Sequence, residues 1–275
     1  MHAGIPRDAL TVVLGVLTGV MSAAFGVGGA VISTPGIRLL GASALTAVAT
    51  TLPSILPSAL TGTIQYSRQH LVNWRVVRAV TPAGVVAAVV GSKLSHSVPG
   101  NGHWLMILTA GLLAFTAYRM VRFAPDAVAA TPLGLAPDVS LTGHNIRRRN
   151  RSGGTAATVG VLAGLMSGLL GVGGGVVMVP GFTEFLGMEL KPTIATSLAC
   201  VGIFAVPSTI THALQKGDID WRFALVLAVG VIPGARLGAR AAIRAADRRL
   251  RLGVGVFLGA ISVVYAVGEL VALSR

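Results

Sequence analysis

Charged side chains are scarce in this 275-residue sequence, at 11% against 53% hydrophobic residues. A soluble domain carries about 25% charged residues, so most of this surface is not built to face water. The one cysteine, Cys200, excludes an internal disulfide and a cysteine-based metal cluster. We find no Walker loop, no Gly-x-Ser-x-Gly turn and no His-Glu-x-x-His pair. We therefore expect no enzyme, no cofactor and no metal site.

Acidic residues are also few, and none of the nine lies in the middle of an apolar stretch. Because intramembrane carboxylates mark proton or sodium pathways, their absence argues against a carboxylate-driven pump. The 22 Lys and Arg residues lie mostly between apolar stretches. We interpret them as orientation signals, with attraction of an anionic substrate as the alternative. The arginines at 147–151 suggest an anchor beside anionic lipid rather than a nucleic-acid site.

Long apolar segments are what the sequence does have. They predict an all-α, multi-pass membrane protein, because about 20 apolar residues in a helix cross a bilayer. The first segment is too long for a signal peptide. A polar, arginine-rich linker at 123–154 divides the chain into halves at 1–122 and 155–275. The eight segments are 9–33, 44–66, 75–95, 103–121, 155–182, 192–214, 221–243 and 251–272.

The two halves repeat one another. Residues 15–35 read GVLTGVMSAAFGVGGAVISTP and residues 160–180 read GVLAGLMSGLLGVGGGVVMVP, with 12 of 21 positions identical. Fainter matches follow, such as Asn73-Trp74-Arg75 with Asp220-Trp221-Arg222. We therefore predict two repeats of four apolar segments. Duplicated halves are a common plan of transporters, with the substrate site at their interface.

A glycine cluster interrupts the first apolar segment of each half, at 26–29 and at 171–175. Each glycine destabilises a helix by about 1 kcal/mol relative to alanine, so we predict a broken helix at both places. Half-helix N-termini carry partial positive charge and unpaired N–H groups, which suit a bound anion. The alternative is close helix packing through small residues, as the spacing of Gly15 and Gly19 suggests. The candidate substrate-binding glycines are Gly26, Gly28, Gly29, Gly171, Gly173 and Gly174.

Hydroxyl side chains lie beside prolines in the second segment of each half. Proline frees backbone carbonyls, so these hydroxyls are candidates for a polar substrate lining. The alternative is that each bonds a carbonyl one turn back in its own helix. The candidates are Thr50, Thr51, Ser58, Thr196, Ser197 and Ser208. We expect His212, beside Gln215 and Lys216, to reach the membrane interface; if buried, it is the candidate proton relay.

These motifs resemble the TauE/SafE family of sulfite exporters and organosulfonate permeases. The resemblance is carried by residues 164–180, their N-terminal copy, Ala-Thr-Ser-Leu at 195–198 and the stretch 217–222. It implies a bacterial inner-membrane protein that moves sulfur-containing anions such as sulfite or sulfoacetate, with the family's glycine motif on the six glycines named above. Related thiosulfate carriers use several cysteines, so the lone Cys200 argues against thiosulfate. The alternatives are transport of another small anion, and a non-transporting membrane scaffold or assembly factor.

The charge pattern favours inverted repeats. If all eight segments cross the membrane, the 22 Lys and Arg residues divide 13 to 9 between the two sides, which is a weak bias. If instead one of the first two segments in each half is re-entrant, dipping in at its break and returning, each half crosses three times. One side then holds about 16 of the 22 basic residues. The positive-inside rule therefore predicts a cytoplasmic linker and both termini in the periplasm. The oligomeric state stays open.

Overall fold

The described residues form ten α-helices. The computed structural model describes residues 5–39, 43–95, 103–122, 145–214 and 219–273, and no strand occurs within these ranges. The prediction of an all-helical protein is therefore confirmed. The helices are α1 (Ile5–Phe25), α2 (Ala30–Leu39), α3 (Ala44–Ser67), α4 (Trp74–Ser95), α5 (His103–Arg122), α6 (Asn145–Leu170), α7 (Gly175–Phe185), α8 (Leu190–Leu214), α9 (Trp221–Arg244) and α10 (Asp247–Leu273).

Seven of the described helices are long and apolar enough to cross a membrane, namely α1, α3, α4, α5, α8, α9 and α10. The first and fifth apolar segments are each broken, as predicted. The first gives α1 and the short α2, and the fifth gives α6 and the short α7. Helix α6 already begins at Asn145, so the last ten residues of the predicted linker are helical. The rest of the linker lies outside the described residues.

Close helix pairs join the two halves crosswise. Helix α1 packs along α9, and a Cβ added to Gly15 would lie 2.5 Å from the carbonyl oxygen of Leu227. A Cβ on Gly19 would lie 2.8 Å from the backbone nitrogen of Ala235. The residue numbers of the contacting residues increase together on α1 and α9, so the two helices run parallel. Here the prediction of glycines that allow close packing is confirmed.

Helices α4 and α6 form the matching pair. A Cβ on Gly160 would lie 2.6 Å from the Val80 carbonyl oxygen, and a Cβ on Gly168 would lie 2.6 Å from the Ser92 nitrogen. These two helices also run parallel. Each half therefore contributes its first helix to one crosswise pair and its fourth to the other.

Two further pairs, α3 with α8 and α5 with α10, run antiparallel. Gly202 approaches Ala59 while Leu198 approaches Gly62, and Ser262 donates a hydrogen bond of 2.9 Å to the Ala110 carbonyl. Both pairs join equivalent helices of the two halves, and antiparallel packing of equivalents is what inverted repeats require. The orientation in a membrane stays a prediction.

The helix directions define two ends of the bundle. We call the end with the C-terminus of α5 and the N-terminus of α6 the linker face, and the opposite end the terminal face. The terminal face carries an ion pair of 2.8 Å between Arg222 and Asp8, which joins the starts of α9 and α1. At the linker face, Arg119 pairs with Glu184.

Candidate functional site

The two helix breaks have matching backbone conformations. Gly26 and Gly171 have φ values of 67° and 66°, and Gly28 and Gly173 have values of 92° and 85°. Side chains disfavour this left-handed region, at a cost of roughly 1–2 kcal/mol per residue. Glycine is therefore the residue that lets both chains leave the helix at these points.

Each break leaves backbone donors without acceptors. The last bond before each break runs from Gly26 or Gly171 to the serine four residues earlier, at 2.9 Å. After the breaks, the first bonds to Gly29 and Gly174 come from residues 32 and 177. Within the part of the chain that the structure describes, no acceptor meets the N–H groups of residues 28, 29, 173 and 174. All four residues are buried, and buried N–H groups without partners are rare in proteins.

The two breaks meet in the centre of the protein. A Cβ on Gly28 would lie 2.6 Å from the carbonyl oxygen of Val172 and 3.6 Å from the Cα of Gly173. Helices α2 and α7 both begin here, at Ala30 and Gly175. Two half-helix N-termini thus converge, and their dipoles add a partial positive charge to the unpaired N–H groups.

Two apolar side chains cover this centre. The Cγ1 of Val201 on α8 lies 3.4 Å from a Cβ added to Gly28 and 2.9 Å from one added to Gly173. Ile55 on α3 contacts Gly173 in the same way, at 3.6 Å. Both side chains are fully buried. Ile55 and Val201 therefore cover the two breaks in this structure.

Ser197 is the predicted hydroxyl that reaches a break. It donates to the Gly26 carbonyl at 2.9 Å and to the Ile194 carbonyl, one turn back, at 3.0 Å. Thr51, its equivalent in the first half, donates to the Val48 carbonyl at 2.9 Å. Both hydroxyls thus make the local bond, and Ser197 also contacts a break. A substrate-lining role for them stays a prediction.

Thr50 and Thr196 act across the halves in a matched way. The Asn73 N–H donates to Thr196 Oγ1 at 3.0 Å, and the Asp220 N–H donates to Thr50 Oγ1 at 3.0 Å. Each threonine, fully buried, therefore holds the turn that precedes α4 or α9. The structure places these two hydroxyls at the turns rather than at the breaks.

Ser58 and Ser208 differ in their surroundings. Ser58 donates to Ser22 Oγ at 2.9 Å. Ser208 and Ser167, the counterpart of Ser22 in the repeat, are buried, and their hydroxyls have no partner among the described residues. The hydrogen bond between Ser58 and Ser22 thus has no counterpart between Ser208 and Ser167.

His212 is buried inside the bundle, and its depth in a membrane stays a prediction. Its side chain is 0% exposed on α8, one turn after Ser208. The helix continues to Leu214 and neighbouring helices enclose the ring. A role as proton relay stays a prediction.

Sequence reasoning missed the apolar cover and one of the polar groups. Ile55 and Val201 gave no signal, because valine and isoleucine are ordinary residues of an apolar helix. Thr34 on α2 lies 3.3 Å from Thr51 between hydroxyl oxygens and was not singled out. Ser22 could have been found, since it is one of the identical positions of the repeat.

A multi-pass helical bundle with paired helix breaks at the interface of its halves defines a membrane transport protein. The chain belongs to the sulfite exporter TauE/SafE family, whose sequence model matches residues 11–265. The membership agrees with the resemblance seen in the glycine motif.

Two of the curated relatives are similar to this chain along most of their length. The probable membrane transporter protein YunE of Bacillus subtilis (strain 168) is 22% identical over 248 residues, covering 84% of this chain and 86% of the relative. A probable membrane transporter protein of Xylella fastidiosa (strain 9a5c) is 27% identical over 239 residues, covering 86% and 85%. No solved structure matches the chain significantly.

Proposed function

We propose that this protein carries small anions across the bacterial inner membrane, and that sulfur oxyanions or organosulfonates such as sulfite and sulfoacetate are its substrates. The observation that supports the proposal is the meeting of two half-helix N-termini. There the buried N–H groups of Gly28, Gly29, Gly173 and Gly174 have no acceptor among the described residues. An anion supplies the missing acceptors and the opposite charge.

The chemistry of the donors favours a compact oxyanion. Sulfite and sulfonate groups present several oxygens around one sulfur, so one group can accept from both breaks at once. Hydrogen bonds to a charged acceptor are roughly twice as strong as neutral ones. Because backbone N–H groups distinguish oxyanions poorly, transport of another small anion is the nearest alternative.

A membrane scaffold is the alternative from another class. A scaffold has no use for buried N–H groups in the centre of the bundle, where each costs roughly 1–3 kcal/mol if left unpaired. The position of the breaks between both halves also fits the transporter plan. Transport is therefore the better explanation of this centre.

Flux in proteoliposomes tests the proposal. Purified protein is reconstituted, and uptake of radiolabelled sulfite, sulfoacetate, sulfate, nitrate and acetate is measured against protein-free liposomes. We expect saturable sulfite or sulfonate flux that unlabelled sulfite inhibits. Saturable flux of nitrate or acetate alone refutes the sulfur substrates. A folded protein that moves none of these anions refutes transport of small anions.

A further inference from the structure

A small cavity lies between α2, α5 and α10 at the terminal face. It has a volume of about 180 Å³ and is lined by Pro35, Arg38, Met106, Val264, Tyr265 and Gly268. Drug-sized ligands need roughly 300–1,000 Å³, so this space suits a small ion. Most of the lining is apolar, with a guanidinium and a phenol as its polar groups.

The phenol of Tyr265 is a buried donor beside this cavity. The residue is 5% exposed. Among the described residues its hydroxyl makes no hydrogen bond of normal geometry, although it lies beside Thr34 and near the Arg38 guanidinium. A phenol in such a position gains from an acceptor in the cavity.

The cavity and the first break lie at opposite ends of the same helix, α2. Arg38 lies eight residues after Ala30, where α2 begins, so it is about 12 Å from the first break along the helix axis. Thr34 lies between them and meets Thr51 at 3.3 Å. Thr34 is thus a buried polar side chain between the cavity and the first break, on the helix whose N-terminus forms part of that break.

The equivalent place in the second half is different. Thr183 stands where the repeat places Arg38. Its cavity at the linker face is larger, about 740 Å³, and its lining mixes Arg119 and Arg251 with Glu184 and Asp247. The guanidinium at the terminal face is therefore a feature of one half, not of the repeat.

We propose that Arg38 and Tyr265 form a second anion-binding site at the terminal face, where an oxyanion binds before it enters or after it leaves the central breaks. The guanidinium supplies charge and paired N–H donors, and the phenol supplies one O–H donor. The inference rests on the proposed function, because it assigns this site to the same anion.

The test measures the sulfite concentration that half-saturates exchange in proteoliposomes, and the concentration that half-maximally raises the melting temperature in detergent. Arg38→Gln should raise both about tenfold to a hundredfold, as expected for loss of a charged hydrogen bond. Tyr265→Phe, which keeps the ring and removes only the hydroxyl, should raise both about tenfold or less. The matched control is Lys93→Gln, an exposed cation at the end of α4 on the same face, and should change neither.

The outcomes separate the two proposals. If Arg38→Gln and Tyr265→Phe exchange sulfite with the same half-saturating concentration as the wild type, the second site is refuted and the proposed function is unaffected. An equal change in Lys93→Gln also refutes it, because general surface charge then explains the effect. If Arg38→Gln does not fold, Tyr265→Phe decides. A wild-type protein that exchanges no sulfite and is not stabilised by it refutes the sulfite substrate and this inference together.

Discussion

Alanine at the two breaks should have unequal effects despite the matching backbone. Gly28→Ala and Gly173→Ala both place a Cβ on a residue with positive φ, at 92° and 85°. Each substitution therefore costs roughly 1–2 kcal/mol in backbone strain. The neighbours differ. The new Cβ would lie 2.6 Å from the Val172 carbonyl oxygen at Gly28, and 2.9 Å from a Val201 methyl at Gly173.

This difference predicts which variant a second substitution rescues. A methyl group can be removed, so Val201→Ala should restore part of the stability that Gly173→Ala loses. The Val172 oxygen belongs to the backbone of the opposite break, so Val201→Ala should not rescue Gly28→Ala. Strain of this size lowers the melting temperature by several degrees, at about 2–4 °C per kcal/mol for a chain of this size.

Thermal melts in detergent and sulfite flux in proteoliposomes measure both effects. The control is Gly259→Ala on α10, where the nearest atom to the new Cβ is 3.8 Å away and φ is not positive. It should leave flux unchanged and stabilise the helix by at most about 1 kcal/mol. We expect Gly28→Ala to melt lowest and to lose flux. If it melts and transports like the control, or if Val201→Ala rescues it fully, the reasoning about the meeting of the breaks is wrong.

Three further predictions follow from other contacts. Thr50→Val and Thr196→Val each leave a turn N–H without its acceptor, so each variant should lose roughly 1–3 kcal/mol of stability. The sulfite concentration that half-saturates exchange should not change. Weaker sulfite binding at unchanged stability would instead place the two threonines in the substrate path. Cys200→Ala should transport normally, because the thiol is buried and unbridged; loss of flux in a folded variant would indicate thiol chemistry. Alkaline phosphatase fused after Arg275 should be active, and fluorescence of a cytoplasmic green fluorescent protein fused there would refute the inverted topology.

The break positions could be predicted from the sequence because the signal is local. Three glycines within four residues disfavour a helix wherever they stand, and the second copy at the same spacing removes chance as an explanation. The glycines that allow close packing were also visible, since small residues one turn apart are a local pattern. The residues that these glycines contact could not be predicted, because the partners of α1 lie on α9, in the other half of the chain.

Sequence similarity between the two halves identifies equivalent positions for the threonines but not for Ser58 and Ser208. Thr50 and Thr196 are 146 residues apart, and Asn73 and Asp220 are 147 apart, and these residues make the same hydrogen bonds in both halves. Ser58 and Ser208 are 150 residues apart, four more than Thr50 and Thr196. The similar sequence around the two serines therefore does not place them at the same level of the bundle. Only Ser58 has a hydroxyl partner among the described residues.

The helix directions agree with the topology predicted from the charge pattern. Arg236 and Arg240 lie within α9, as exposed residues near its C-terminal end, rather than in a loop. Because α9 ends at the linker face, both residues still belong to the side that the positive-inside rule places in the cytoplasm. The prediction of a cytoplasmic linker therefore does not depend on where the helix ends.

The crosswise packing explains why the central site needs both halves. The Gly26 carbonyl of the first break is held by Ser197 from α8, and a Cβ on Gly171 of the second break would meet Val48 from α3. Each break is therefore shaped by the other half. A movement of one half against the other that separates the two half-helix N-termini should therefore weaken binding of the proposed bridging anion. In this proposal, the repeat supplies both the donors of the site and a means to alter their spacing.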